Sequence, residues 1–262
     1  MRERSHFSKT EKHYDKVAFD YFGLHSSLSR EADEDIRNFF RGKDCESLLN
    51  VGCGPTPLFI EPELKETCFD MSQGMLDQIA IRMKYRARDK VYSQIAQNIP
   101  ERLKRISHII KNRKEVAKRI GDQLERDMQH LTLKKGNIAE HDFGEKAFDG
   151  VLASGVLQDM RNPNEAAGVM EKLLKSSRKK AVFVLPKERF PIFSYPLIRL
   201  RVRPPKQFPF TGEDVDQILE TIKKHGFEPT LSTCEGVLGK GDMETQSKNP
   251  IYWVIKAKRR EG

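Results

Sequence analysis

Two glycines one residue apart, Gly52 and Gly54, close the short apolar run LLNV at residues 48–51. Glycines that end a strand let the main chain come close to a ligand. Asp70 follows Gly52 by 18 residues and ends a second short strand-like run, ETCFD. A carboxylate in that position can accept hydrogen bonds from both hydroxyls of a ribose. A glycine turn and a distant acidic residue together suggest a nucleoside-bearing ligand. The dinucleotide pattern GxGxxG is not completed, because Pro57 stands at its third glycine; Thr56 stands where a GxGxG pattern would place one.

Other chemistry-bearing residues are sparse. The seven histidines form no HxxxH or HExxH, and Cys45, Cys53, Cys68 and Cys234 form no CxxC. We therefore expect no metal site, and we read the cysteines as free thiols of a cytoplasmic protein. Asp159, in VLQDM just beyond an apolar run, is placed to face a substrate or to sit in a solvated loop. His141 and Tyr195 are weaker candidates, more in keeping with surface or packing roles. No pair of catalytic residues stands out, so the catalytic residues stay unassigned.

These residues need elements to hold them. ESLLNV (46–51), ETCFD (66–70), LTLKKGN (131–137), FDGVLASG (148–155) and KKAVFVLP (179–186) are short runs bounded by turn signals, as buried parallel strands are. FEPTLSTCE and IYWVIKAK read as closing strands. Between them lie helical patterns. EADEDIRNFFR (31–41) places Ile36, Phe39 and Phe40 on one face and ends before Gly42. SQGMLDQIAIRM has Ser72 as N-cap and Met75, Ile79 and Met83 at helical spacing. Residues 164–177 form an amphipathic helix with Asn164 as cap. TGEDVDQILETIKKHGF has Thr211 at the cap, Asp214 three residues on and Gly226 at the stop. Repeated β–α units predict an α/β fold: a doubly wound, mostly parallel seven-stranded sheet with helices on both faces. Residues 186–210 are proline-rich and expected to be irregular, with Arg199, Arg201 and Arg203 alternating along one face.

The chain has 262 residues and net charge +9, and the charge is concentrated. Residues 82–131 carry 14 Lys/Arg and 6 Asp/Glu, a net +8. A short helix over 86–97 and a long amphipathic helix from Pro100 to about 130, about 45 Å long, would hold these charges. This basic layer could face RNA phosphates, serve as a solvated lid or dimer contact, or meet an anionic membrane surface. No stretch approaches the roughly 18 apolar residues of a membrane span, and MRERSHFSKTEKHYDK lacks the apolar core of a secretory signal.

In order along the chain, HYDKVAFDYF, LLNVGCGPTP, CFDMSQGML, KKGNIAEHDFGEKAFDGVLASGVLQDM, KLLKSSRKKAVFVLP and TGEDVDQILETIKKHGFEP resemble the class I S-adenosylmethionine (SAM)-dependent methyltransferases. The likeness omits about 84–130. It implies a Rossmann-like methyltransferase domain over 46–262, interrupted by a basic helical insertion at about 84–130, with residues 1–45 as an N-terminal helical cap. It implies that Gly52, Cys53 and Gly54 meet the methionine and ribose of SAM, and that Asp70 binds the ribose. Met71 would pack on the adenine, Asn137 and Ile138 would read its edge, and Ser154 would lie near the sulfonium. Tyr14 or Tyr21 would close over the methionine end. Asn50, which the resemblance also places among the cofactor-binding residues, stands where the family usually has an acid in the first motif, Asn137 in place of an Asp, and Thr56 in place of a glycine. After the fourth strand comes SGVL rather than an NPPY-type tetrapeptide, which argues against the amino-methylating nucleic-acid enzymes with that signature. The implied activity is methyl transfer to a small molecule; the alternatives are an RNA acceptor held by the insertion, or SAM binding without catalysis.

Overall fold

A computed structural model describes residues 3–20, 27–59, 64–98, 102–187, 208–237 and 251–260. The elements are α1 (Glu3–Val17), β1 (Ser27–Leu28), α2 (Arg30–Phe40), β2 (Ser47–Val51), β3 (Lys65–Asp70), α3 (Gln73–Asn98), α4 (Arg102–Lys111), α5 (Arg113–Met128), β4 (Leu131–Lys135), β5 (Phe148–Ser154), α6 (Pro163–Ser176), β6 (Ser177–Pro186), α7 (Gly212–Lys224), β7 (Phe227–Val237) and β8 (Ile251–Arg259).

The seven expected strands form one sheet in the order β4-β3-β2-β5-β6-β8-β7, and the two-residue β1 extends it beyond β7. Strands β4, β3, β2, β5 and β6 are mutually parallel. Strand β8 runs against both β6 and β7. The winding direction reverses between β2 and β5, and in such sheets ligands bind beyond the carboxyl ends at that point.

Alternate residues of the parallel strands feed two apolar layers. On one face Leu49, Val51, Val151, Ala153 and Phe183 pack against α6 and α7. On the other, Leu48, Leu152 and Val182 pack against Ile36 and Phe40 of α2, while Cys68 meets Leu76, Ile79 and Met83 of α3. Helix α7 starts with the expected capping box between Thr211 and Asp214, and Gly226 follows it with φ +79°. The cap of helix α6 lies two residues before the expected one. Asn162, not Asn164, accepts from Glu165 N, and Pro163 occupies the first turn, where its missing N–H costs nothing.

The basic block differs from expectation. The short helix is the far half of α3, which runs unbroken for 26 residues. The long helix is two helices, separated at Asn112, whose φ −109° and ψ 28° leave the helical range. Val91, Ile95 and Val116 are buried together, with Ile109 and Ile120 packed on them. Of the apolar stripe, Ile120 packs here and Leu124 and Met128 pack on α3. Lys90 bridges Asp127 across α3 and α5 at 3.0 Å. Pro100, Tyr195 and Arg199, Arg201 and Arg203 lie outside the described residues, as does Tyr21. Among the described residues no helix is long and apolar enough to cross a membrane.

The link from β2 to β3, residues 52–64, has no helix among its described residues, although parallel strands are usually joined through one. A buried carboxylate does the anchoring instead. Glu66 on β3 is 1% exposed. It accepts from Leu58 N and Phe59 N, both at 2.8 Å, and from Asn50 Nδ2 at 2.7 Å. Burial pushes its pKa up, and these three donors oppose that shift. Glu66→Ala would strand two backbone donors and the Asn50 amide. It should lower unfolding stability by roughly 2 kcal/mol or more, measured by urea denaturation; an unchanged midpoint would show that the carboxylate does not hold the loop.

Candidate functional site

A narrow cleft of about 580 Å³, mouth included, opens at the carboxyl ends of the parallel strands. Its floor is Val51, Gly52 and Gly54 after β2. One side is Asp70 and Met71 after β3, with Ile138 after β4. The other is Val156 and Asp159 after β5, and α1 closes it with Phe7, Thr10 and Tyr14.

The turn depends on its glycines. Gly52 and Gly54 have φ +63° and +59°, where other residues are strained. A Cβ on Gly52 would lie 2.6 Å from Val156 Cβ. The turn's N–H groups point into the protein. Gly52 N donates to Phe69 O at 2.7 Å, Cys53 N to the same oxygen at 3.4 Å, and Gly54 N to Asp70 Oδ2 at 3.0 Å. Phosphate-binding turns offer free N–H groups at a helix N-terminus. Here these three donors are spent, and no helix follows among the described residues of the loop.

Asp70 is 7% exposed. It also accepts from Ser72 N at 2.9 Å. Burial raises its pKa to about 6, against the two backbone donors, and the nearby Asp15 adds to the rise. The folded chain therefore holds a proton on Asp70 more tightly than the unfolded chain does. The stability that this proton supplies is present in acid and lost as pH rises through about 6, so at neutral pH the buried charge costs stability. A buried carboxylate with a raised pKa in a cleft is a candidate site residue.

Helix α1 is fastened over the cleft at three points. Tyr14 Oη donates to Asp159 Oδ2 at 2.7 Å. Asp15 Oδ1 accepts from Ser72 Oγ at 2.7 Å and Gly74 N at 3.0 Å, at the positive N-terminal end of α3. Glu11 bridges Lys135 at 2.7 Å. Asp159 is itself buried, on the 3-10 turn Leu157–Asp159. Of the two roles the sequence left open for it, the wall position is the one observed.

The remaining sequence candidates divide between two places. Gly52, Gly54, Asp70, Met71 and Ile138 converge on the cleft. Asn137 does not line it; its side-chain oxygen accepts from Ala139 N at 3.0 Å and shapes the turn that presents Ile138. Asn50 is buried beneath the turn, with its amide on Glu66. Cys53 and Ser154 line a second cavity on the other side of the turn, and burial pushes the Cys53 thiol up. His141 packs its ring at 5.0 Å from Phe69 and 4.7 Å from Phe143, so it acts in packing. Phe7, Thr10 and Asp15 carried no signal of their own; only their place beside Tyr14 in the opening segment hinted at them.

The chain has the fold of solved class I SAM-dependent methyltransferases. It is similar to the [4+2]-cyclase SpnF, with TM-score 0.57 and 12% identity over 96% of this chain and 95% of that one. Magnesium protoporphyrin IX methyltransferase from Synechocystis PCC 6803, solved with S-adenosylhomocysteine, has TM-score 0.50 and 12% identity over 88% and 82%. The methyltransferase domain of bacterial CtHen1-C has TM-score 0.51 and 12% identity over 88% and 97%. No family model matches the sequence, and no curated protein does. At these identities the likeness establishes the fold alone.

Tyr14→Phe would remove the bond from α1 to Asp159. Backbone amides of residues 10–17 should then exchange with solvent about tenfold faster, read by hydrogen-exchange mass spectrometry. Unchanged exchange would mean that α1 is held without it.

Proposed function

We propose that the protein binds SAM in the cleft under α1 and transfers its methyl group to a small-molecule acceptor. The observation that carries this is the combination of a buried carboxylate at the end of β3, placed to accept from a ribose, with a glycine turn whose N–H groups are already spent. Such a site suits a nucleoside without phosphates and disfavours a dinucleotide. In this reading residues 1–45 cap a methyltransferase domain of 46–262, and the helices of about 84–130 are an insertion.

Asp70 would accept from the ribose hydroxyls through its remaining lone pairs. Met71 and Ile138 would flank the adenine, and the bare Gly52 would let the methionine chain pass. Tyr14 and Asp159 would close the opposite side and exclude water. SAM, when bound, supplies a methyl group on a sulfonium, so the protein's task is chiefly alignment and dehydration.

An RNA acceptor is the second reading. It is favoured by Tyr85, 54% exposed on α3, with the Arg88 guanidinium 4.8 Å from its ring centroid. Stacking faces beside basic side chains suit single-stranded nucleic acid. Tyr85 and Tyr92, however, lie about 15 and 25 Å along α3 from Met75 in the cleft wall, at 1.5 Å per residue. That separation favours the small-molecule reading.

Calorimetry with S-adenosylhomocysteine should give one site, weakened at least tenfold by Asp70→Ala. Only the carboxylate form of Asp70 accepts two hydroxyl donors. Affinity should therefore be full above about pH 6 and fall as pH drops through that value, where Asp70 protonates. No binding heat would refute the proposal. Incubation with methyl-labelled SAM should label the small-molecule fraction of a cell extract. Label in total RNA would support the second reading; cofactor binding with no labelled product would mark a binding protein without catalysis.

A further inference from the structure

The second cavity lies on the α2 side of the sheet, over β2 and β5, and holds about 1330 Å³, mouth included. It is larger than the cleft under α1. Its origin is topological. A crossover helix between β2 and β3 would cover this face. Here the described part of the link is a loop of turns and bends tied down at Glu66, and among the described residues α2 roofs the strands beside it. Arg30, Asp33 and Arg37 of α2 form one wall, Thr56 and Leu58 of the loop another, and Ser154 of β5 lies at the end toward the glycine turn.

The chemistry of these walls is that of a binding site. Arg30 and Arg37 outnumber Asp33, so the wall carries a net positive charge. Arg37 gives Nε and Nη2 to Asp33 Oδ2 at 3.0 and 2.9 Å. Its Nη1 has no partner among the described residues, and Arg30 has no carboxylate among them. Leu58 and Leu152 supply an apolar surface between the polar groups.

Gly52, Gly54 and Gly155 line both this cavity and the cleft. No side chain stands at those shared positions. We infer that the second cavity binds the methyl acceptor, a small molecule with an apolar body and an anionic group held by Arg30 and Arg37. The assignment to the acceptor rests on the methyl-transfer proposal; the binding site itself does not. In the transfer, a lone pair of the acceptor would form the new bond to the methyl carbon as the carbon–sulfur bond breaks. The bonding pair stays on sulfur, and any proton on the attacking atom is released to solvent.

The test uses the full chain and the probe 8-anilinonaphthalene-1-sulfonate, an apolar body with one anionic group, followed by fluorescence. Saturable binding is expected, about tenfold weaker in Arg30→Glu and in Arg37→Gln. S-adenosylhomocysteine affinity should stay within about twofold in both variants, and saturating S-adenosylhomocysteine should leave the probe bound. Arg30 is exposed, so its variant tests the site without touching the core. Undiminished probe affinity in Arg30→Glu, non-saturable binding, or full displacement by S-adenosylhomocysteine would overturn the inference. Arg30-dependent probe binding in a protein indifferent to S-adenosylhomocysteine would keep the cavity as a binding site and overturn its assignment to the acceptor.

Discussion

A buried carboxylate, Asp70, joins the two halves of the cleft. Through one oxygen it holds Gly54 of the turn after β2; through the other it holds Ser72 at the start of α3. Ser72 in turn bonds Asp15 and so fastens α1 over the opening. Floor, side and roof are therefore registered on one side chain. The arrangement places two acids, Asp15 and Asp70, near the N-terminal end of α3, where the helix dipole favours negative charge. Their mutual repulsion and the burial of Asp70 remain as a standing cost. Donors from a ligand would relieve it, which explains why a costly charge is kept at the mouth of a cleft.

A second constraint acts on the opposite side of the turn. Glu66 fixes the described part of the link between β2 and β3, and the Asn50 amide donates to it. An acid at position 50 would set two carboxylates against each other in the sheet, since Asn50 lies beside Cys68 in register and within reach of Glu66. The asparagine is thus the natural partner of the buried glutamate. The departure from the family pattern at position 50 thus goes with the buried acid that ties down residues 58 and 59, beside the second cavity.

Much of the frame was legible in the sequence because it is local. Seven strands, the capping box at Thr211, the Ser72 cap and the pairing of a glycine turn with Asp70 all follow from short-range pattern. Asp159 and Tyr14 could be singled out separately, but their bond spans 145 positions and only the fold brings them together. Asn50 and Asn137 were read as ligand-facing from their places in motifs. Their hydrogen bonds to Glu66 and Ala139 depend on strand register and turn geometry, which spacing does not encode. The break at Asn112 replaced one long helix with two. The polar gap beside it was visible, but the backbone turn at Asn112 was not. The internal packing of the basic helices was equally hidden, since an apolar stripe does not say whether its partner is the same chain.

The central claim is that the cleft under α1, organised by Asp70, is a SAM site. The most direct measurement is a crystal structure of the full chain with S-adenosylhomocysteine. The ribose hydroxyls should lie about 2.7 Å from the Asp70 carboxylate, with the adenine between Met71 and Ile138 and the homocysteine passing Gly52 beneath Tyr14. A nucleoside bound with no contact to Asp70, in the second cavity or on the basic helices, would contradict it.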